Sequence, residues 1–268
     1  MKRVLLYVTL VVGAVVTVFP YLLVLLTAFK SSGQLHTTQP WLPGVPPTTA
    51  NLTKLLGGEF PHYILNTLVM TIALTTGQLV FTTFAAYAFA RLRFPGRDVL
   101  FWLFVATMMV PVAVTVIPLF LIMRELELVN TWAGLLIPYV LGTPYGIFLM
   151  RQFFRSLPAG LEEAARIDGA GQLTILLRVM LPLCKPALGT LAIITVISSW
   201  NSFLWPLIIT SDEQTKVITV ALAALKVGIG VDYAQIMAGG LIALVPMIAI
   251  FVFFQRYIVR SVVLTGLK

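Results

Sequence analysis

Charge is scarce in this chain: 10% of its 268 residues are Asp, Glu, Lys or Arg, against about 25% in an average soluble domain. The single cysteine, Cys184, excludes an internal disulfide and a cysteine metal cluster. Only two histidines occur, His36 and His62, and neither lies near enough in the membrane order to serve Ser198, Ser199 or Ser202 as a base, which argues against a serine hydrolase within the membrane. The dipeptide Gly-Lys never occurs, so the chain has no P-loop, and any ATP that drives it must bind to another chain. Long apolar runs carry no Asp, Glu, Lys or Arg in their interiors, whereas proton relays place ionisable groups at membrane depth. A net charge of +8 has no basic run with interleaved aromatics to carry it, so nucleic acid is not expected as a partner.

What is abundant is oil. Hydrophobic residues make up 59% of the chain and the mean hydropathy is +0.98, which predicts an all-α integral membrane protein. Apolar runs at Val4–Phe29, His62–Ala90, Val99–Met123, Asn130–Met150, Pro186–Ile209 and Tyr233–Gln255 each reach the roughly 20 residues a spanning helix needs. The first run is longer than the roughly 7–15 residues of a signal-peptide core, and no small-residue cleavage pattern follows at Lys30, so it is read as an uncleaved span. Six spans in a single transmembrane domain, 1–268, put both termini on one side. Thirteen of the eighteen Lys and Arg residues fall on that side, including those of the Arg91–Asp98 turn and the 151–185 loop, which makes it the cytoplasmic side.

The outer connections are 31–61, 124–129 and 210–232. Pro40, Pro43, Pro46, Pro47 and Pro61 predict an irregular, helix-free segment in the first. The third holds Val217–Leu225, too short to span and therefore interfacial, re-entrant or buried, followed by Gly228 and Gly230. Prolines inside the spans read as kinks or as hinges of a gated pore. Gly142 and Gly146 have close-contact spacing, although Pro144 lies between them.

Two polar features stand out. Ser198, Asn201, Ser202 and Trp205 share one face at helical spacing and suit either interhelical hydrogen bonding or a pore lining that meets a sugar's hydroxyls and ring faces. The other is the stretch from Leu161 to Gly171, running on to Val179-Met-Leu-Pro182, which reads as two short helices broken at Gly169-Ala170-Gly171. A polar helical island in such an apolar chain is either a solvated loop helix or a docking element.

The island resembles the EAA loop of permease subunits in binding-protein-dependent ABC importers. Glu163-Ala164-Ala165, Gly169 and Leu181-Pro182 fit its spacing, with Val179 where the family has Ile. Asn66, Ala86-Tyr87-Ala88-Phe89-Ala90-Arg91, Met108-Met109-Val110-Pro111, Trp200-Asn201-x-Phe203-Leu204-Trp205-Pro206 and Phe254-Gln255-Arg256-Tyr257-x-Val259-Arg260 are similar to its carbohydrate-uptake branch, and most of all to the smaller six-span partner of the maltose-type pair. The resemblance implies a type I ABC importer permease with six transmembrane helices and a cytoplasmic two-helix EAA loop. It implies a multi-pass inner-membrane location and no catalytic site. The implied partners are a second permease subunit, two ATP-binding subunits that use ATP and Mg, an extracytoplasmic solute-binding protein, and membrane lipid. Coupling to the ATPase is expected at Glu163, Ala164, Ala165, Arg166, Asp168, Gly169, Leu181 and Pro182, with the Glu163 carboxylate paired to a basic residue there. Lys226, Gly228, Gly230, Asp232 and Tyr233 are expected to face the binding protein, and the C-terminal segment from Arg260 to Lys268 to reach toward the ATPase. A carbohydrate is the expected solute; glycerol phosphate through the same architecture, or secondary transport, are the alternatives.

Overall fold

A computed structural model describes residues 2–226 and 231–265, with side chains over 3–226 and 231–252. Among the described residues the regular structure is helical. In chain order the helices are α1 (Lys2–Ala28), α2 (Gln34–Thr37), α3 (Ala50–Leu56), α4 (Phe60–Arg91), α5 (Arg97–Ala106), α6 (Val112–Glu125), α7 (Trp132–Val140), α8 (Pro144–Ser156), α9 (Gly160–Ile167), α10 (Gln172–Thr174), α11 (Leu181–Leu183), α12 (Lys185–Trp200), α13 (Leu204–Ile209), α14 (Ile218–Ala224) and α15 (Tyr233–Thr265). A π-helical stretch, Ile175–Met180, joins α10 to α11. Four helical segments are long and apolar enough to cross a membrane, or up to six when two bent pairs are each taken as one span.

The chain divides into two compact units, residues 1–65 with 217–249 and residues 66–216 with 250–268. In the first, Ala28, Leu55, Phe60, Tyr63, Ile218, Ala221 and Ala238 form the core. The short helix α14 is buried there, so the 217–225 run is a packed helix. The 31–61 segment is not free of helix: α2 and α3 interrupt it, because Lys30 ties it down. The Lys30 side chain is 1% exposed and its Nζ donates to the carbonyls of Gln39 (2.8 Å) and Pro40, while Asn51 donates to those of Ala28 and Lys30. Satisfied carbonyls around a buried ammonium let the loop hold a fixed shape.

In the second unit α4 is amphipathic in the membrane sense. Asn66, Thr67, Thr71, Gln78 and Thr82 are buried, and Leu68, Val69, Ile72, Val80, Phe81 and Phe84 are exposed. Lipid is as apolar as leucine, so polar and small residues go to the helix contacts and the large apolar ones face outward. The core beside the Arg91 end comprises Phe101, Met150, Phe154, Ile175, Met180 and Leu191 among others.

The runs expected as single spans, kinked or hinged at their prolines, are broken in three places. The third bends by 104° between α5 and α6. Val110 is extended (ψ 118°) because Pro111 disfavours helical backbone in the residue before it, and Pro111 has no N–H to continue the ladder. The fourth is interrupted at Gly142, whose φ of +105° suits glycine, and restarts where Thr143 accepts a hydrogen bond from the Gly146 amide. It then continues to Ser156, beyond Met150 where the apolar run ends. Gly142 and Gly146 both press on Thr82 of α4, so the close contact expected of that pair is present, although a helix break separates them. The fifth span leaves an 80° bend at Cys184 and its helix stops at Trp200.

Tight glycines fix these joints. A Cβ at Gly134 would lie 2.1 Å from the Leu128 carbonyl oxygen, a backbone atom that cannot swing aside. Gly134→Ala should therefore destabilise the protein by about 1–3 kcal/mol, read as a lower melting temperature in detergent. An unchanged melting temperature would show that the loop before α7 yields freely.

Candidate functional site

The polar island forms as its residues dictate. Helix α9 ends in a Schellman motif: Gly169 takes φ +81°, its N–H donates to the Arg166 carbonyl, and the Ala170 N–H donates to that of Ala165. Glu163, Ala164, Ile167, Asp168 and Gly169 are exposed, with Ile167 86% exposed. Ala165 is turned partly inward against the chain's own core, so it does not share a free face with Ala164. The reason is the acid before the motif. Glu162 is 6% exposed and its carboxylate lies 3.2 Å from Arg91 Nε, off the hydrogen-bond axis, so the attraction is Coulombic. Burying Glu162 fixes the rotation of α9 about its axis and presents Glu163 outward.

Arg91 does more than neutralise Glu162. Its Nη2 donates to the carbonyls of Phe154 and Leu157, which end α8. These are the orphan carbonyls of a helix terminus, satisfied by a cation where the helix dipole favours one. Arg166 is engaged too, 3.7 Å from Glu162 one turn along α9. Beside it Arg151, 4% exposed, donates to the Phe89 carbonyl and to Asp98, and its guanidinium stands 3.8 Å over the Phe101 ring. Tyr87 OH donates to Gln172 at 2.9 Å, tying α4 to the chain beyond the Gly169 break. Leu181 and Pro182 lie at the corner where the π-helical stretch passes into the 80° bend; they shape the joint, with Leu181 half-buried and Pro182 exposed. Arg91 of α4 thus links α9, through Glu162, to the end of α8.

The second candidate is a cavity of about 450 Å³ within the second unit. Ser198, Ser202 and Trp205 line it as expected, joined by Gln78, Tyr139, Tyr145, Thr195 and Ser199. Asn201 does not. The helix stops at Trp200, so helical spacing fails beyond it, and the exposed Asn201 amide donates back to the Ile197 carbonyl. Trp205 is present as a ring only, because its indole N–H donates to the Gly134 carbonyl at 3.1 Å. The Tyr139 ring meets it edge-on at 6.0 Å. Gln78 closes one wall, donating to the Tyr139 carbonyl and accepting from Thr195 Oγ1.

Residues 78–264, about two thirds of the chain, match the family described as the binding-protein-dependent transport system inner membrane component. The chain belongs to that family. The permease is a multi-pass membrane component of an ABC importer that works with a solute-binding protein, and it is not an enzyme. It is 33% identical, over 95% of its length and 92% of the relative's, to the arabinooligosaccharides transport system permease protein of Halalkalibacterium halodurans. It is 31% identical to the sn-glycerol-3-phosphate transport system permease protein of Rhizobium meliloti over 96% and 94% of the two chains. Its fold superimposes with a TM-score of 0.84 on a chain of a bacterial ABC transporter that imports the acidic polysaccharide alginate, at 28% identity and 96% coverage of each.

Of the permease segment expected to face the binding protein, Lys226 and Tyr233 are exposed, and Gly228 and Gly230 lie outside the described residues. Asp232 is occupied. Its Oδ1 accepts from the amides of Ala234 and Gln235 as the cap of α15, and its Oδ2 accepts from Ser32 Oγ, so it anchors the loop. The side chains from Arg260 to Lys268 also lie outside the described residues. Sequence reasoning missed Arg91, Arg151, Glu162, Ile167 and Gln78 as site residues. Gln78 had a signal of its own, an amide near the centre of a charge-free apolar run.

Proposed function

We propose that the permease forms half of the translocation pore of an ATP-driven carbohydrate importer and receives mechanical work through α9. The observation that carries this reading is a short helix that is exposed on Glu163, Ala164 and Ile167 and clamped from behind by Arg91 and Glu162. An ATP-binding subunit docks on that exposed face, with the Glu163 carboxylate against a cation and Ala164 admitting close approach. ATP and Mg are used by two such subunits, one on this chain and one on a second permease subunit. Closure of the ATPase pair pulls α9, and the clamp passes the movement to α4 and α8. The excess of Lys and Arg around the Arg91–Asp98 turn and the 151–185 segment puts this face, and both termini, in the cytoplasm. The solute-binding protein docks on the opposite side, where Lys226 and Tyr233 are exposed. The arabinooligosaccharide relative and the alginate importer support a carbohydrate solute. The glycerol phosphate relative favours a second reading, import of a phosphorylated polyol by the same machinery.

Gly169→Pro tests the coupling. Proline is held at φ near −65° and cannot adopt the +81° that ends α9, so the helix end must rebuild. In vesicles holding the complete importer, ATP-driven uptake should be lost while membrane insertion survives. Normal uptake would overturn the assignment of α9 as the coupling helix.

A further inference from the structure

We infer that this chain itself carries a subsite for an uncharged saccharide, and that this subsite rejects phosphorylated and acidic solutes. The inference rests on the carbohydrate reading and sharpens it. Its basis is the chemistry of the cavity in the second unit. No Asp, Glu, Lys, Arg or His stands among its described lining residues. Aliphatic side chains such as Leu74, Leu191 and Ile194 form much of its wall. The polar and ring groups among them are Ser198, Ser199 and Ser202, Tyr139 and Tyr145, and Gln78, whose amide already bonds the Tyr139 carbonyl and Thr195.

Serine and tyrosine hydroxyls both donate and accept, as the hydroxyls of a sugar do, so either orientation of a bound ring finds partners. Aromatic walls suit the apolar faces of the same ring. The Trp205 indole N–H is already committed to Gly134, so that side chain offers only its ring. At about 450 Å³ the space falls within the roughly 300–1,000 Å³ of small-molecule pockets.

An anion fares differently. A phosphate or carboxylate moved from water into a largely apolar cavity needs a cation or a dense set of donors to replace the hydration it gives up. The basic residues near the Arg91 end are committed: Arg91 to Glu162 and two carbonyls, and Arg151 to Asp98, the Phe89 carbonyl and the Phe101 ring. The apolar runs themselves supply no other charge.

The test uses the importer complex of both permeases and the ATPase pair in nanodiscs, without binding protein. Equilibrium dialysis measures binding of radiolabelled maltose, arabinobiose and xylobiose, and in parallel of sn-glycerol 3-phosphate and a uronate disaccharide. At least one neutral disaccharide should bind, and neither anion should. Tyr145→Phe and Ser199→Ala should each weaken that binding about five- to tenfold with the number of sites per complex unchanged, since each removes one hydrogen-bonding group. A merely structural effect would lower the number of sites instead, which would overturn the subsite. Unchanged affinity in both variants would place the solute on the partner permease, overturning the subsite while leaving carbohydrate transport standing. Binding of the uronate disaccharide would overturn the charge selection alone. Binding of glycerol phosphate with no saccharide bound would overturn the carbohydrate reading itself.

Discussion

Arg91→Ala is expected to destabilise the permease by about 3–5 kcal/mol, the cost of leaving a buried charge without its partner. The Arg91 and Glu162 side chains are 12% and 8% exposed, so each charge depends mainly on the other for its stabilisation. Glu162 would keep only Arg166, which is half exposed and 3.7 Å away. The Leu157 carbonyl would lose its Arg91 donor as well, while that of Phe154 would keep only the Leu157 amide; a bare buried acceptor costs about 1–3 kcal/mol. The measurable result is a large fall in melting temperature together with loss of uptake. Arg91→Lys should recover only part of both, because an ammonium restores the charge but not the fork that reaches a carboxylate and two carbonyls at once. Wild-type melting of Arg91→Ala would mean that α9 is held by apolar contacts alone.

Glu163→Lys should do the opposite: leave the fold untouched and stop transport. Glu163 is exposed, and surface substitutions usually move stability by no more than about 0.5 kcal/mol. If Glu163 faces a cation on the ATPase, lysine there creates a like-charge contact costing several kcal/mol, which lowers coupled uptake about a hundredfold or more. Insertion, abundance and melting temperature should match the wild type. Adjacent glutamates with opposite signatures, Glu162 stabilising and Glu163 coupling, would separate clamp from docking face. Normal uptake by Glu163→Lys would remove Glu163 from the ATPase interface.

Much of this was legible in the sequence. Periodicity located the apolar runs because lipid imposes a minimum length on any spanning helix. Gly169 was recognisable as a helix stop, since a left-handed residue after a helix is cheap only for glycine. The Glu163–Gly169 spacing carried the family resemblance on which the proposed coupling role of α9 rests. The errors share one cause. Helical spacing assumes that the helix continues, and it stops at Trp200, which removed Asn201 from the cavity; a proline at 111 and a glycine at 142 broke two further runs. Asp232, expected to face the binding protein, caps α15 by accepting from the Ala234 and Gln235 amides, a role that its reading as a loop residue did not include.

The sequence by itself determined that this is a helical membrane protein with a polar helical island at Leu161–Gly171. Those conclusions depend on composition, length and short-range spacing, which chain order preserves. Tertiary structure decided which of two neighbouring glutamates is buried and which is presented, because Arg91 meets Glu162 only when segments some seventy residues apart in sequence are folded together. It also decided that Gln78, Tyr139, Ser199 and Trp205 surround one uncharged cavity. Four separate helices contribute those side chains, and no spacing rule connects them.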